Sequence, residues 1–400
     1  MIDLSNLLPA NQNFKLLYIQ SKPTYIKSPI YANKHIDTVK IRHFFLLLQN
    51  DIIVMALEIF SYLQIGTEVT QFIFISKCDT VGLIKLNFKL SSIIEYLINY
   101  VINYNLANYK IKNKKVKKPS DPNTLDSIIN KLQFNKYVPY YNEIKQEKVE
   151  EFRTLPNSQN VKICLFTRSA PQYIFPESSV NEFKHLITGQ SLLRWWIKII
   201  NGVSPNFTKK LLIPGTDINS TYKFINSSWQ IGHIFNDGLA CYNIPIFPDD
   251  PKGRFIEHLI VGNRYSHVDV SQFYCELESR QEFRIGDCVG LIGAEKDDIK
   301  IGGEGGDGIV VSLHDYKSFM KLIKSVYYNK LINVENMSTV DIPKFFENIG
   351  IAFDYLKFKG SMEMKIEEKV IDKPVVNNLV VKRKTNDLTG MIRKKKNKKI

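Results

Sequence analysis

Asp249 and Asp250 stand side by side immediately before Pro251. Adjacent carboxylates can take up and return protons, so the doublet is a candidate for acid–base chemistry. The same residues also spell a helix start. Asp250 suits the N-cap, where its side chain accepts from free backbone N–H groups, and Pro251 suits the first helical position. On residue type alone the capping role is the commoner one. Residues 303–308 read Gly-Glu-Gly-Gly-Asp-Gly and match G-x-G-x-x-G by letter. A dinucleotide turn needs a helix after it, whereas Ile309, Val310 and Val311 read as a strand, and Glu304 and Asp307 would repel a pyrophosphate. The segment is therefore expected as a flexible surface loop. The sequence contains no P-loop, no H-E-x-x-H and no G-x-S-x-G string. His185, His267 and His314 stand apart from one another and read as packed or surface histidines. Cys78, Cys164, Cys241, Cys275 and Cys288 are odd in number and contain no C-x-x-C pair. Neither a disulfide framework nor a metal centre is expected.

These groups need elements to position them. Residues 43–48, a Gln49–Asn50–Asp51 turn and residues 52–62 read as two antiparallel strands, with 71–75 as a third. From residue 90 to 106 the period becomes helical. Ile94, Leu97, Ile98 and Val101 share a face, and Ser92 with Glu95 is expected to form a capping box, placing the junction near Ser91 and Ser92. Residues 105–121 lose apolar periodicity and are rich in lysine, as expected of a mobile insertion closed by Pro119 and Pro122. VKICLF at 161–166 reads as a buried strand. Helix starts are expected at Ser178 and Ser179 and again at Ser191, the second carrying a stripe of Leu192, Trp195, Trp196, Ile199 and Ile200 and ending at Gly202. Trp196 on that stripe reads first as core. A further helix follows Asp250, through Phe255 and Leu259, and residues 271–283 and 315–330 also read as helical. Strands and helices alternate without an internal repeat, which favours one mixed α/β domain.

Hydrophobic residues make up 44% and aromatics 12% of the 400 residues, enough for a sizeable core. The net charge of +14 is local, because residues 382–400 hold nine Lys/Arg against Asp387 and residues 110–118 hold six lysines and no acid. Such runs attract nucleic acid, acidic proteins or a nuclear import receptor alike. The tail clusters at 382–384 and 393–399 suit bipartite nuclear import. No apolar leader follows a basic start, so a cytosolic or nuclear place is expected. The most apolar stretch, 43–63, is broken at Gln49, Asn50 and Asp51, short of the ~18 residues needed to cross a bilayer. No membrane role is expected.

Three stretches carry a resemblance: FIFISKCDTVG at 72–82, KICLFTRSAPQYIFPESS through LLRWW at 162–196, and WQIGHIF with YNIPIFPDDPKGRFIEHL at 229–259. In order and spacing they resemble the fungal histone H3 lysine acetyltransferase family named for regulation of Ty transposition, whose fold is similar to that of the CBP-type acetyltransferases. The resemblance implies an α/β (mixed α+β) fold, with a central mixed sheet flanked by helices. That domain is expected at residues 1–371, with a mobile basic loop around 105–122 and a disordered basic tail at 372–400. It also implies acetyl-CoA as cofactor and histone H3–H4 as substrate, with target lysines in the helix before the H3 core fold and in the H3 tail. Histone chaperones of the nucleosome-assembly-protein and anti-silencing types are the implied partners. The implied setting is nuclear, in chromatin assembly and the DNA-damage response.

The resemblance assigns residues as well. A free lysine amine has a pKa of ~10.4, so attack on a thioester needs an acceptor for its proton. Asp250 is implied as that acceptor, with Asp249 beside it and Asp79 in support. Lys252 is implied as a buried lysine that the enzyme acetylates on itself, and Tyr173 and Trp196 as walls of the target-lysine channel. The cofactor arm is implied beside Phe166, Thr167 and Arg168 and beside Cys78, Asp79 and Thr80, with His185, Trp195 and Arg254 around it. Its phosphates are implied at the 87–91 junction, where Asn87 and Ser91 replace arginines of some relatives and Lys89 stands in. Two other function classes remain open: an inert nuclear scaffold that binds chaperones or DNA through the basic segments, and a nucleic-acid-binding protein, for which only charge speaks.

Overall fold

Asn50 and Asp51 both adopt left-handed φ, 48° and 67°. A two-residue type I′ turn needs that conformation, and Asn and Asp tolerate it. The turn joins β3 (Asp37–Gln49) to β4 (Ile52–Ile65), paired from Asp37↔Ile65 to Gln49↔Ile52. The computed structural model describes residues 1–114, 152–156, 158–280, 287–300 and 305–363. Contacts gather Met1–Glu363 into one unit.

Among the described residues the hairpin lies in an eleven-stranded mixed sheet of order β10-β1-β3-β4-β5-β6-β9-β7-β8, with β11 on β1 and β2 on β3. The strands are β1 (Asn13–Ser21), β2 (Thr24–Ile26), β5 (Val69–Thr80), β6 (Ser158–Thr167), β7 (Thr208–Leu212), β8 (Trp229–Ile231), β9 (Gly290–Lys300), β10 (Ile309–Val311) and β11 (Leu356–Lys359). The longer helices are α1 (Leu90–Ile102), α2 (Gly189–Val203), α3 (Pro251–Val261), α4 (Val270–Glu278) and α5 (Leu313–Ile323). One face of the sheet buries Phe45, Leu57, Ile75 and Leu165 under α1 and α2, through Ile94, Leu97, Trp196 and Ile200. The other buries Phe44, Leu46 and Leu48 under Tyr316, Phe319 and Ile323 of α5. Among the described residues no helix is long and apolar enough to cross a membrane.

Several local expectations change. The Ser92–Glu95 capping box does not form; α1 begins at Leu90 without a side-chain cap. Glu95 instead reaches α2, where a Cβ on Gly202 would come within 2.7 Å of Glu95 Oε2. Gly202 thus lies inside α2 as a seat for a neighbouring side chain. The α2 start moves from Ser191 to Gly189, because Thr188 Oγ1 accepts from the Ser191 N–H at 3.3 Å. The signal at Ser178 and Ser179 gives only a 3-10 turn, Ser178–Val180. The helix expected at 315–330 ends at Ile323, and α4 ends at Glu278, residues 281–283 lying outside the described residues.

The insertion expected to be mobile from residue 105 is packed at its start, with Leu106, Tyr109 and Ile111 buried; residues 115–122 lie outside the described residues. The glycine-rich segment is likewise no free loop. A Cβ on Gly305 or Gly308 would lie 2.8 and 2.6 Å from the rings of Tyr104 and Tyr18. Asp307 accepts from the Ile2 N–H and the Tyr100 hydroxyl. Residues 303–304 and the tail at 372–400 lie outside the described residues.

Candidate active site

β5 and β6 run parallel and in register from Thr70↔Asn160 to Ile75↔Leu165, and then they part. A bulge between Glu58 and Ile59 of β4 lets Ser76 stand unpaired in β5, which continues to Thr80 along β4. β6 continues to Thr167 along β9. Between the separated ends opens a cavity of about 440 Å³. Its walls are Cys78, Asp79 and Thr80 of β5, Phe166, Thr167 and Arg168 at the end of β6, Leu90 and Ile94 of α1, and Leu192, Trp195 and Trp196 of α2. Tyr173, Lys184 and His185 close it from the loop between β6 and α2. Ligands of open sheets bind at the carboxyl ends of such parallel strands. A second cavity, about 340 Å³, shares Thr80, Leu86, Leu90, Lys184 and His185 with the first and adds Lys85.

The β6–α2 loop is held by one carboxylate. Asp79 Oδ2 accepts from the successive N–H groups of Tyr173 (2.8 Å), Ile174 (2.8 Å) and Phe175 (3.2 Å). Its Oδ1 accepts from the Thr80 N–H at 2.9 Å and pairs with Lys184 Nζ at 2.5 Å. Lys184 donates further to the Thr80 carbonyl and to Ser178 Oγ. Both side chains of this pair are at most 5% exposed. Through these bonds Asp79 fixes the backbone of Tyr173 at the cavity wall. The Tyr173 hydroxyl donates to the Arg168 carbonyl, and burial pushes its pKa up to about 12. Burial likewise raises the Cys78 and Cys164 thiols, which stay protonated and serve poorly as nucleophiles.

The carboxylate doublet splits between two environments. Asp250 caps α3 as its sequence suggests, accepting from the Lys252 N–H at 3.0 Å. Its Oδ2 pairs with Lys252 Nζ at 2.5 Å, with the two side chains 0% and 7% exposed. The pair borders a void of about 20 Å³ with Phe74, Cys164, Leu165, His233 and Tyr274. Leu165 alone lines both this void and the large cavity. Asp249, in left-handed conformation (φ 57°), is 71% exposed and pairs at 2.8 Å with Lys77, itself a cavity residue. The hydrogen bond from Lys77 holds the Asp249 carboxyl below the usual carboxylate range, against the effect of partial burial.

The structure therefore gathers ten expected residues around one cavity: Cys78, Asp79, Thr80, Phe166, Thr167, Arg168, Tyr173, His185, Trp195 and Trp196. Lys89 and Ser91 flank the lining residue Leu90 without lining the cavity themselves, and Arg254 is exposed on α3. Trp196 is both core and wall. Lys77 and Lys184 are wall residues that sequence reasoning missed. Lys77 stands within FIFISKCDTVG and Lys184 between the quoted strings of the second stretch, but neither letter carries a role until the Ser76 bulge and the Asp79 knot bring them to the wall.

The sheet parts at the carboxyl ends of two parallel strands and leaves, above paired aromatics, a cavity where open sheets bind their ligands. The chain belongs to the histone acetyltransferase KAT11-type domain family, whose profile matches residues 2–370. It is a histone acetyltransferase, and that family implies acetyl-CoA as the acetyl donor. The histone acetyltransferase RTT109 of Candida albicans is 47% identical over 342 residues, 82% of this chain and 95% of that protein. The Schizosaccharomyces pombe histone acetyltransferase rtt109 is 32% identical over 153 residues, 34% of this chain and 41% of that protein. The crystal structure of Rtt109 from Aspergillus fumigatus superposes with a TM-score of 0.66 at 17% identity, covering 91% of this chain and all of that one, which shows the shared fold.

Proposed function

We propose that the chain acetylates lysines of histone H3, in the helix before the H3 core fold and in the H3 tail, on H3–H4 presented by chaperones of the nucleosome-assembly-protein and anti-silencing types. Its place is the nucleus, in chromatin assembly and the DNA-damage response, with the clusters at 382–384 and 393–399 serving import. The observation that carries the reading is the opening between β5 and β6. Two strand edges offer N–H donors and C=O acceptors at regular spacing, which suits an amide-bearing pantetheine arm. The side-chain-uncapped N-terminus of α1 and the adjoining cavity at Lys85 suit the phosphates, with Lys89 in reach.

When bound, acetyl-CoA supplies a thioester carbonyl to the target amine. The remaining work belongs to the protein. Tyr173 and Trp196 flank an aliphatic lysine stem and exclude water. Asp249 at the rim draws in the ammonium, but its lowered pKa makes it a weak proton acceptor. Asp250 is the acceptor in this reading, and Lys252 controls it. With Lys252 charged, Asp250 is answered by a cation. Self-acetylation of Lys252 replaces that ammonium by a neutral amide and leaves the carboxylate beside a void with room for one water-sized proton carrier.

The test is to incubate the protein with acetyl-CoA, H3–H4 and a chaperone of either type, and to map acetyl-lysine by mass spectrometry. Acetylation of H3 that rises with chaperone supports the reading. Undiminished CoA binding without transfer would favour the inert scaffold instead.

A further inference from the structure

Among the described residues, no carboxylate lies within ion-pair distance of the lysines along the outer face of α5. His314, Lys317, Lys321 and Lys324 are all exposed and spaced three or four residues apart, so they form one stripe. From residue 313 to 334 the chain has four lysines, counting Lys330, and a single acid, Asp315, which is spent on Ser312 at the helix start.

Immediately beyond the stripe the surface turns apolar. Tyr327, Leu331 and Ile332 are 64%, 44% and 59% exposed, although their neighbours Tyr328 and Val334 are fully buried. The local backbone is fixed: Tyr328 N–H donates to the Pro176 carbonyl, and Asn333 Nδ2 to the Tyr327 carbonyl. The apolar side chains are therefore presented by an ordered segment. The Lys324 charge also acts on the Asp249 carboxyl, helping to hold it down.

We propose that this face of α5 and the segment after it bind an acidic protein segment carrying apolar anchors. The lysine stripe supplies the charge complement, and Tyr327, Leu331 and Ile332 supply a seat for aliphatic side chains. A basic histone would be repelled here, so the occupant is a component other than the substrate. Two aliphatic side chains among the three distinguish the surface from a nucleic-acid face, which would offer rings for bases to stack on.

The test uses the full chain and two fluorescent 20-residue peptides of equal acidic charge, one with two leucines and one with serines in their place. The leucine peptide is expected to bind about tenfold more tightly, the return of partly burying two leucines at ~25 cal/mol per Å². Leu331→Ser/Ile332→Ser should abolish that preference. Lys317→Glu/Lys321→Glu/Lys324→Glu should weaken both peptides about tenfold, whereas the matched tail change Lys394→Glu/Lys395→Glu/Lys396→Glu keeps the leucine preference. Circular-dichroism melts check that these exposed changes leave the fold intact. Absence of a leucine preference in the parent protein, or its survival in Leu331→Ser/Ile332→Ser, would overturn the proposal. So would a 20-base-pair DNA duplex that binds the α5 face as tightly as the leucine peptide does.

Discussion

Two buried aspartate–lysine pairs flank the same strand ends, and they are built differently. Asp79–Lys184 and Asp250–Lys252 each close at 2.5 Å with both side chains nearly inaccessible. Around the first, Asp79 has five donors and Lys184 three acceptors. Around the second, the only side-chain hydrogen bonds among the described residues are the Lys252 N–H and Nζ, both to Asp250. A charge tied into many bonds is there to hold a shape. A charge tied to one partner can be switched by altering that partner, and a lysine is the residue that acetylation alters. The difference separates a knot that fixes the cavity wall from a pair beside a separate small void that is adjustable in the reading proposed above.

The largest effect should come from breaking the fixed pair. Asp79→Ala strands the Lys184 ammonium and three successive N–H groups, and should cost ~3–5 kcal/mol in chemical denaturation together with loss of CoA binding by calorimetry. Stability close to that of the parent would show that the knot is dispensable. Asp250→Asn should be nearly as costly, because it leaves Lys252 buried without an anion. Here the comparison predicts rescue: Asp250→Asn/Lys252→Gln should regain most of the stability but not the turnover. No analogous rescue is expected for Asp79→Asn/Lys184→Gln, whose bonds to Ser178 and to the Thr80 carbonyl are also lost.

A pH series sharpens the contrast with a third buried group that has no lysine. His43 accepts or donates to Tyr18 and Tyr109 deep under the sheet, and burial pushes its pKa down to about 3. Between an unfolded value of ~6.5 and the folded one, only the unfolded chain takes up this proton. Stability should therefore fall as pH drops through that window, by about 1.4 kcal/mol per unit from this group. A flat profile between pH 6.5 and 4 would contradict a neutral His43. The smallest effect on stability belongs to Asp249→Asn, an exposed partner worth no more than ~1 kcal/mol. It should act on catalysis instead, raising KM for histone more than it lowers kcat, as steady-state kinetics would show.

Much of this arrangement was readable before any coordinates. The hairpin at Asn50 and Asp51, the VKICLF strand and the Asp250 cap each follow from local chemistry, and the quoted motifs led to ten of the cavity residues. What failed was decided by distant contacts. Glu95 left its capping box because α2 offered a glycine seat, and the glycine-rich segment lost its freedom to the rings of Tyr18 and Tyr104. β1 is buried along most of its length and shows no alternation to read. Lys184 carries no sequence signal, since its meaning depends on a carboxylate 105 residues away. The separate environments of Asp249 and Asp250 were equally hidden, because adjacent letters do not reveal that one faces solvent and the other Lys252.

Hydrogen–deuterium exchange with and without CoA addresses the parting of β5 and β6 most directly. Protection is expected at the backbone of Cys78, Asp79 and Thr80 and of Phe166, Thr167 and Arg168, with little change at residues 305–308. Protection that appears elsewhere while these two edges exchange unchanged would contradict the placement of the acetyl donor between them.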